Sequence, residues 1–277
     1  MKTAVIGGGY SGYCAVKALR ELAPDMGILV IDRVRTPYDK SRYNDWLAGG
    51  DDKDFFLFDK DFIAENKLEV INDEVVRVNF ERKRIFFRDA PMQIYDSLII
   101  ATGLNHRPPV VSGSTKEGIY LLWNNDPFAF VASLKLYKHI VFSMSTAYGA
   151  KCALAAAEGS EKDITILGPA KVIEAVGEKS VRAVKTDDGR FTACDMLILE
   201  PDYEYDLKFL KDQPQFIKNG TLDCDEGYGL NGAHDVFVCG SLIHPASAHF
   251  EDLHRSRQLR RQTAEKVAQR IAGGGNV

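Results

Sequence analysis

The chain has 277 residues, enough for two domains of ordinary size. Hydrophobic residues make up 45% and charged residues 27%, a soluble globular composition. A net charge of −4 gives no reason to expect nucleic acid or an anionic membrane as partner, and no apolar run approaches the ~20 residues that span a bilayer. The first element is a β-type run, Thr3-Ala4-Val5-Ile6. It leads into Gly7-Gly8-Gly9-Tyr10-Ser11-Gly12, a G-x-G-x-x-G loop, and then into a helical stretch from Tyr13 to Leu22. Gly7 permits the tight turn, Gly9 lets backbone approach a pyrophosphate, and Gly12 lets helix and strand pack closely. Ile28 to Ile31 is the expected second strand, and Asp32 ends it, where a carboxylate can accept the hydroxyls of an adenosine ribose. The alternative is an ordinary Gly-rich turn with a solvated Asp.

Further strands are expected at Leu68–Ile71, Glu74–Phe80, Arg84–Phe87 and Tyr95–Ala101, with a helix over Phe62–Asn66. Arg33 to Asp54 is polar and long for a simple connection, which points to a segment that touches a ligand. Tyr95–Ala101 runs into Thr102-Gly103, a small-residue turn that lets backbone pass close to a cofactor.

These pieces resemble the FAD-dependent pyridine nucleotide-disulfide oxidoreductase superfamily, nearest to its NADH:rubredoxin reductase and nitrite reductase flavoprotein branch. The shared motifs are Gly7-x-Gly9-x-x-Gly12, Asp32, Tyr38-Asp39-Lys40 with Leu47-Ala48-Gly49 behind it, Ala101-Thr102-Gly103, and Asp235 to Ser241. The resemblance is strong over residues 1–108, fair over 229–277 and poor between. It implies an α/β fold of two Rossmann-like domains (FAD- and NAD(P)-binding), the second inserted into the first. The expected boundaries are 1–108 for the first part of the FAD domain, 109–228 for the insert, and 229–277 for the returning part. It further implies that Gly7, Gly9 and Gly12 hold the FAD pyrophosphate, with Tyr10 and Ser11 completing the loop. Asp32 would bind the adenosine ribose beside Arg33, and Lys40 would lie near the phosphates or flavin. Val75 would offer backbone to the adenine, and Ala101, Thr102, Gly103 and Gly240 would line the cofactor. Ser241 stands where the family's late motif has an Asp that holds a ribityl hydroxyl; a hydroxyl can still hydrogen-bond there, as a neutral and shorter group.

The middle departs from the family. Lys138–Phe142 is an expected strand and Ala150–Glu158 an expected helix. The second G-x-G-x-x-G, aligned without gaps, falls on Met144, Thr146 and Gly149, so one glycine survives. The next strand, Ile164–Leu167, ends in Gly168-Pro169 where an acidic ribose ligand is expected. After the strand Met196–Leu199, the family's Ala-Thr-Gly is replaced by Glu200-Pro201-Asp202. The insert is therefore expected to keep its fold without binding NAD(P)H in the usual way. Asp187–Arg190 is an expected hairpin turn, and Tyr203–Lys211 an expected solvated face.

Leu253–Ala272 is expected to be an amphipathic helix with Leu253, Leu259, Val267 and Ile271 on its apolar side, ended by Gly273-Gly274-Gly275. In the family its N-terminus points at the flavin, and a dimerisation domain follows; the chain stopping here suggests that domain and its dimer are absent. His244, His249 and His254 recur every five residues, a spacing that does not gather three metal ligands on one helix face. They are expected in a loop near the isoalloxazine, where one could donate a proton. The five cysteines are scattered, with no C-x-x-C. Cys14 and Cys239 read as core; Cys152, near a helix start, reads as core or as a thiol of lowered pKa. Reduced thiols, and a first strand that starts too early to leave room for a signal peptide, point to the cytoplasm.

The leading functional expectation is a FAD flavoprotein oxidoreductase whose electron donor or acceptor is a protein redox partner, a small substrate, or NAD(P)H bound atypically. The alternative is a redox-silent relative: a scaffold or subunit of a larger complex, with FAD structural or lost.

Overall fold

A computed structural model describes residues 1–123, 126–158, 161–168, 170–243 and 253–274, the side chains of 253–255 excepted. The chain forms two compact units. The first holds residues 1–41, 52–105 and 204–277, and the second 42–51 and 106–203. In chain order, the first unit contributes β1 (Lys2–Ile6), α1 (Tyr10–Leu22), β2 (Gly27–Ile31), β3 (Leu68–Ile71) and β4 (Ser97–Ile100). The second contributes β5 (Ile119–Leu121), β6 (His139–Ser143), α2 (Ala147–Ala157), β7 (Asp163–Leu167) and β8 (Met196–Leu199). The chain then returns to the first unit with β9 (Val236–Val238) and α3 (Leu253–Ala272). This is the expected α/β architecture of two Rossmann-like units, one within the sequence of the other. Among the described residues no helix is long and apolar enough to cross a membrane.

In the first unit a parallel sheet runs in the order β9-β4-β1-β2-β3. Its central strands are near-continuous apolar runs, because helices or further strands cover both faces. Alternate residues serve alternate faces. Val5, Ile28, Val30, Ile99 and Phe237 join one buried cluster with Ala15, Val16 and Leu19 of α1. Ala264, Val267, Ala268 and Ile271 of α3 complete that cluster. Their spacing of three and four residues makes the buried stripe of α3, and its alanines let two helices approach closely. The expected stripe was partly different: Leu259 is only half-buried, while Val267 and Ile271 face the core.

The opposite cluster takes Ala4, Ile6, Leu29, Ile31, Leu98 and Ile100. It is closed by a three-stranded antiparallel sheet, Val75–Asn79, Arg84–Phe87 and Gln93–Ile94. Phe209, Leu210, Phe216 and Leu222 lie in the same cluster. The expected solvated face at Tyr203–Lys211 is thus corrected at its second half, where Phe209 and Leu210 supply core. Residues 204–228, grouped by sequence with the insert, pack in the first unit for the same reason.

The second unit repeats the plan. Its parallel sheet runs β7-β6-β8-β5. A three-stranded antiparallel sheet, Val172–Val176, Ala183–Thr186 and Phe191–Ala193, packs on it through Val172, Ala175 and Val184 against Val141, Leu197 and Leu199. The hairpin expected at Asp187–Arg190 is present, with Gly189 at φ +83°. Segment 42–51 belongs to this unit: the Tyr43 N–H donates to the Tyr148 hydroxyl at 3.1 Å.

Ala268 is fully buried in the cluster that α1 and α3 share, so Ala268→Leu is expected to cost ~1–3 kcal/mol by overpacking. Urea denaturation measures this as a lowered midpoint with an unchanged slope; an unchanged midpoint would place Ala268 outside that cluster.

Candidate dinucleotide site

The βα turn after β1 has the geometry its glycines demand. Gly7 adopts φ +110°, and a Cβ there would lie 2.3 Å from the Ala101 carbonyl oxygen. A Cβ on Gly12 would lie 2.0 Å from the Gly7 carbonyl oxygen. These two positions exclude any side chain. Gly9 differs: among the described residues a Cβ there meets no atom within 4 Å. Gly9 caps α1 with no side-chain acceptor, and the first turn carries no acidic residue among the described residues. The N–H groups at the start of this 13-residue helix therefore suit an anion, by hydrogen bonding and by the helix dipole.

Asp32 is fixed beside this turn. Its Oδ2 accepts the Gly8 N–H at 2.6 Å and its Oδ1 the Val34 N–H at 2.7 Å. Burial pushes its carboxyl upward, against the pull of those two N–H groups. The Asp32 N–H donates to Ile71 at 3.1 Å, which seats the end of β3 next to it. Arg33 reaches Asp206 at 3.1 Å and the Asn105 side chain at 2.9 Å. The Thr102 hydroxyl donates to the Asp206 carbonyl at 3.0 Å, so the Ala101-Thr102-Gly103 turn is tied to Arg33 through Asp206. Lys40 opens a short 3₁₀ turn within electrostatic reach of Asp32, Arg33, Asp206 and Arg260.

The late motif is brought to the same place. Gly240 adopts φ +80°, and a Cβ on it would lie 2.1 Å from the Ser11 Oγ. Its N–H donates to the Thr263 hydroxyl of α3 at 3.2 Å. Ser241 follows, half-buried in the turn Gly240–Ile243. Val75 starts its strand opposite Phe87. The preceding Asp73 folds that corner: its carboxylate accepts the N–H groups of Glu74, Asp89 and Ala90, and the Ala90 and Asp89 amides hold it below the usual carboxylate range.

The pairing of Asp39 with Arg257 had no signal in the sequence. Asp39 is fully buried and accepts the Arg257 Nε–H at 3.0 Å, across 218 positions. The same guanidinium stacks 4.1 Å from the centre of the Tyr10 ring. Burial lifts the Tyr10 phenol to about 12. The Tyr10 ring is thus the surface on which Arg257 rests. His244, His249, Gly275 and the side chains of Leu253 and His254 lie outside the described residues, as does Pro169. Among the described residues no group of His, Cys, Asp or Glu could hold a metal.

In the second unit the corresponding turn follows β6. Thr146 caps α2, its hydroxyl accepting the Gly149 N–H at 2.9 Å. Met144 is buried, and β7 is followed by Gly168, which has no carboxylate. Cys152 is fully buried and desolvation raises its thiol to about 12, so it is not the activated thiol that its helix position allowed. Cys14 and Cys239 are buried, as expected of core residues.

Two Rossmann-like units, one presenting an open glycine turn and an acid at the end of its second strand, define the class of dinucleotide-binding α/β proteins. The chain belongs to the pyridine nucleotide-disulphide oxidoreductase family, whose sequence pattern matches residues 1–142. Among curated proteins, the ferredoxin reductase component of chlorobenzene dioxygenase from Cupriavidus sp. (strain PS12) is 27% identical over 126 residues, 44% of this chain and 31% of that protein. The nitrite reductase [NAD(P)H] of Bacillus subtilis (strain 168) is 29% identical over 139 residues, 48% of this chain and 17% of that protein. The match therefore spans less than a third of either relative. Among solved structures, a ferredoxin reductase for the CYP199A2 system from Rhodopseudomonas palustris superposes with a TM-score of 0.82 at 18% identity, covering 99% of this chain and 77% of that one. That likeness establishes the fold.

The buried Cys152 is expected to resist a thiol reagent such as DTNB at pH 8 in the folded protein and to react fully in urea. Rapid labelling of Cys152 in the native state, located by peptide mass mapping, would contradict the burial.

Proposed function

We propose that the chain is a flavoprotein oxidoreductase that holds FAD on the first glycine turn and receives electrons from a source other than NAD(P)H bound in the standard way. The observation that carries the proposal is the convergence of four separate segments on one open helix N-terminus. These are the Gly7–Gly12 turn, Asp32, the Ala101–Gly103 turn and Gly240. The residues fit the group: Gly9 leaves room where a side chain would obstruct a pyrophosphate, and the Tyr10, Ser11 and Gly12 backbone can face its oxygens. Asp32 would take the ribose hydroxyls, and Lys40 would add positive charge beside the phosphates. The family and the two curated relatives support the electron-transfer role, and the ferredoxin reductase component supports a protein redox partner. Bound FAD would supply the hydride and electron chemistry, which the polypeptide positions and tunes. In the second unit, Thr146 puts a side chain where backbone would have to touch a nicotinamide nucleotide, and Gly168 has no carboxylate to accept from a ribose.

One observation favours a second reading. Ser241 is neutral where the family uses a carboxylate on the ribityl chain, which suits a relative that holds FAD loosely or as a structural ligand. A scaffold or complex subunit would then be the role.

Quenching of FAD fluorescence on titration with the protein tests the proposal. Gly9→Val is expected to weaken FAD binding by at least about tenfold while the melting temperature of the apoprotein stays put, because that Cβ meets only open space. Absence of FAD binding by the wild-type chain would remove the proposal, and equal binding by Gly9→Val would remove the site.

A further inference from the structure

Glu200 follows β8 with a side chain that is 5% exposed. A buried carboxylate needs compensating donors. Four donors to Glu200 come from one turn. Its Oε2 accepts the Ser145 N–H at 2.6 Å, the Thr146 N–H at 2.9 Å and the Ser145 hydroxyl at 3.1 Å. Its Oε1 accepts the Thr146 hydroxyl at 2.5 Å. This is the turn between β6 and α2, so the carboxylate sits at the N-terminus of an 11-residue helix, where negative charge is favoured. Gly149 completes the seat: a Cβ on it would lie 2.4–2.8 Å from the carboxylate atoms. The one glycine surviving from the second glycine pattern therefore makes room for Glu200.

We propose that Glu200 is a built-in anion, which takes the place of a dinucleotide pyrophosphate in the second unit and closes that unit to NAD(P)H. The two βα turns of this chain are alike in position and opposite in state. At α1, among the described residues, no side chain caps the helix and a Cβ on Gly9 meets no atom within 4 Å. At α2 the N–H groups of Ser145, Thr146 and Gly149 all have acceptors within the chain. A phosphate arriving there meets a carboxylate of its own sign and no unmet donor among those three. Sequence alone shows that Ala-Thr-Gly became Glu-Pro-Asp; it does not show that the new acid turns back onto the neighbouring loop. The inference deepens one clause of the proposed function, the exclusion of a standard nucleotide donor, and stands apart from the clause about FAD.

The test uses the full chain saturated with FAD and ADP-ribose as probe. Binding is read by calorimetry and located by the amide resonances of Ser145, Thr146 and Gly149. Wild type is expected to leave those resonances unmoved. Glu200→Ala, and the near-isosteric Glu200→Gln should the first variant melt too early, are expected to bind ADP-ribose at least about tenfold more tightly and to shift the three amides. Wild-type binding of ADP-ribose at these amides would overturn the inference, as would a folded variant that gains no affinity. Failure of the flavin reading is separate: it would show as a colourless protein in which Glu200→Ala still moves the Ser145 and Thr146 amides.

Discussion

Backbone N–H groups at the start of a helix must find acceptors, and this requirement governs both halves of the molecule. A parallel strand that ends at a helix N-terminus delivers several donors to one point together with the positive end of the helix dipole. In the first unit the chain meets few of them. Gly9 supplies no side-chain cap, and the nearby carboxylate of Asp32 accepts from Gly8 and Val34 rather than from the first turn of α1. In the second unit the chain meets them itself, with the Thr146 hydroxyl and the Glu200 carboxylate. On the function proposed above, the same fold would receive a dinucleotide at one turn and exclude it at the other.

The remaining contacts around the first turn prepare it. Gly7 and Gly12 allow strand, turn and helix to touch without side chains between them. Asp206 joins Arg33 to the Thr102 turn, and Thr263 anchors Gly240. Arg257 neutralises the buried Asp39 and covers Tyr10. The other carboxylate oxygen of Asp39 accepts the Ser41 N–H at 3.0 Å and the Ser41 hydroxyl at 2.5 Å, so the buried charge is shared between Arg257 and the Ser41 turn.

Much of the fold was legible because strand and helix periodicities are local. The apolar runs at Ile28–Ile31 and Leu98–Ile100 read as buried parallel strands, and they are. The glycine spacing and Asp32 read as a nucleotide turn because their chemistry lies within one βαβ unit. What escaped was long-range. Arg257 and Asp39 carry no mark of each other across the intervening insert. Phe209 and Leu210 sit among acids and tyrosines, and only the tertiary fold shows that they close the first core. The loss of the second glycine pattern was visible at Met144 and Thr146, but the acid that fills the turn comes from 55 positions further along the chain than Ser145, at the end of β8. Such a contact depends on the strand order β7-β6-β8-β5, which places β8 directly beside β6.

The contrast between the two turns is tested most directly by the absorbance spectrum of the purified protein, recorded anaerobically before and after NADH, then NADPH, then dithionite. A flavin spectrum that both nucleotides leave unchanged and dithionite bleaches is the result predicted here. Rapid bleaching by either nucleotide would contradict it, because it would require a working nicotinamide site in a chain whose second turn is already filled by Glu200.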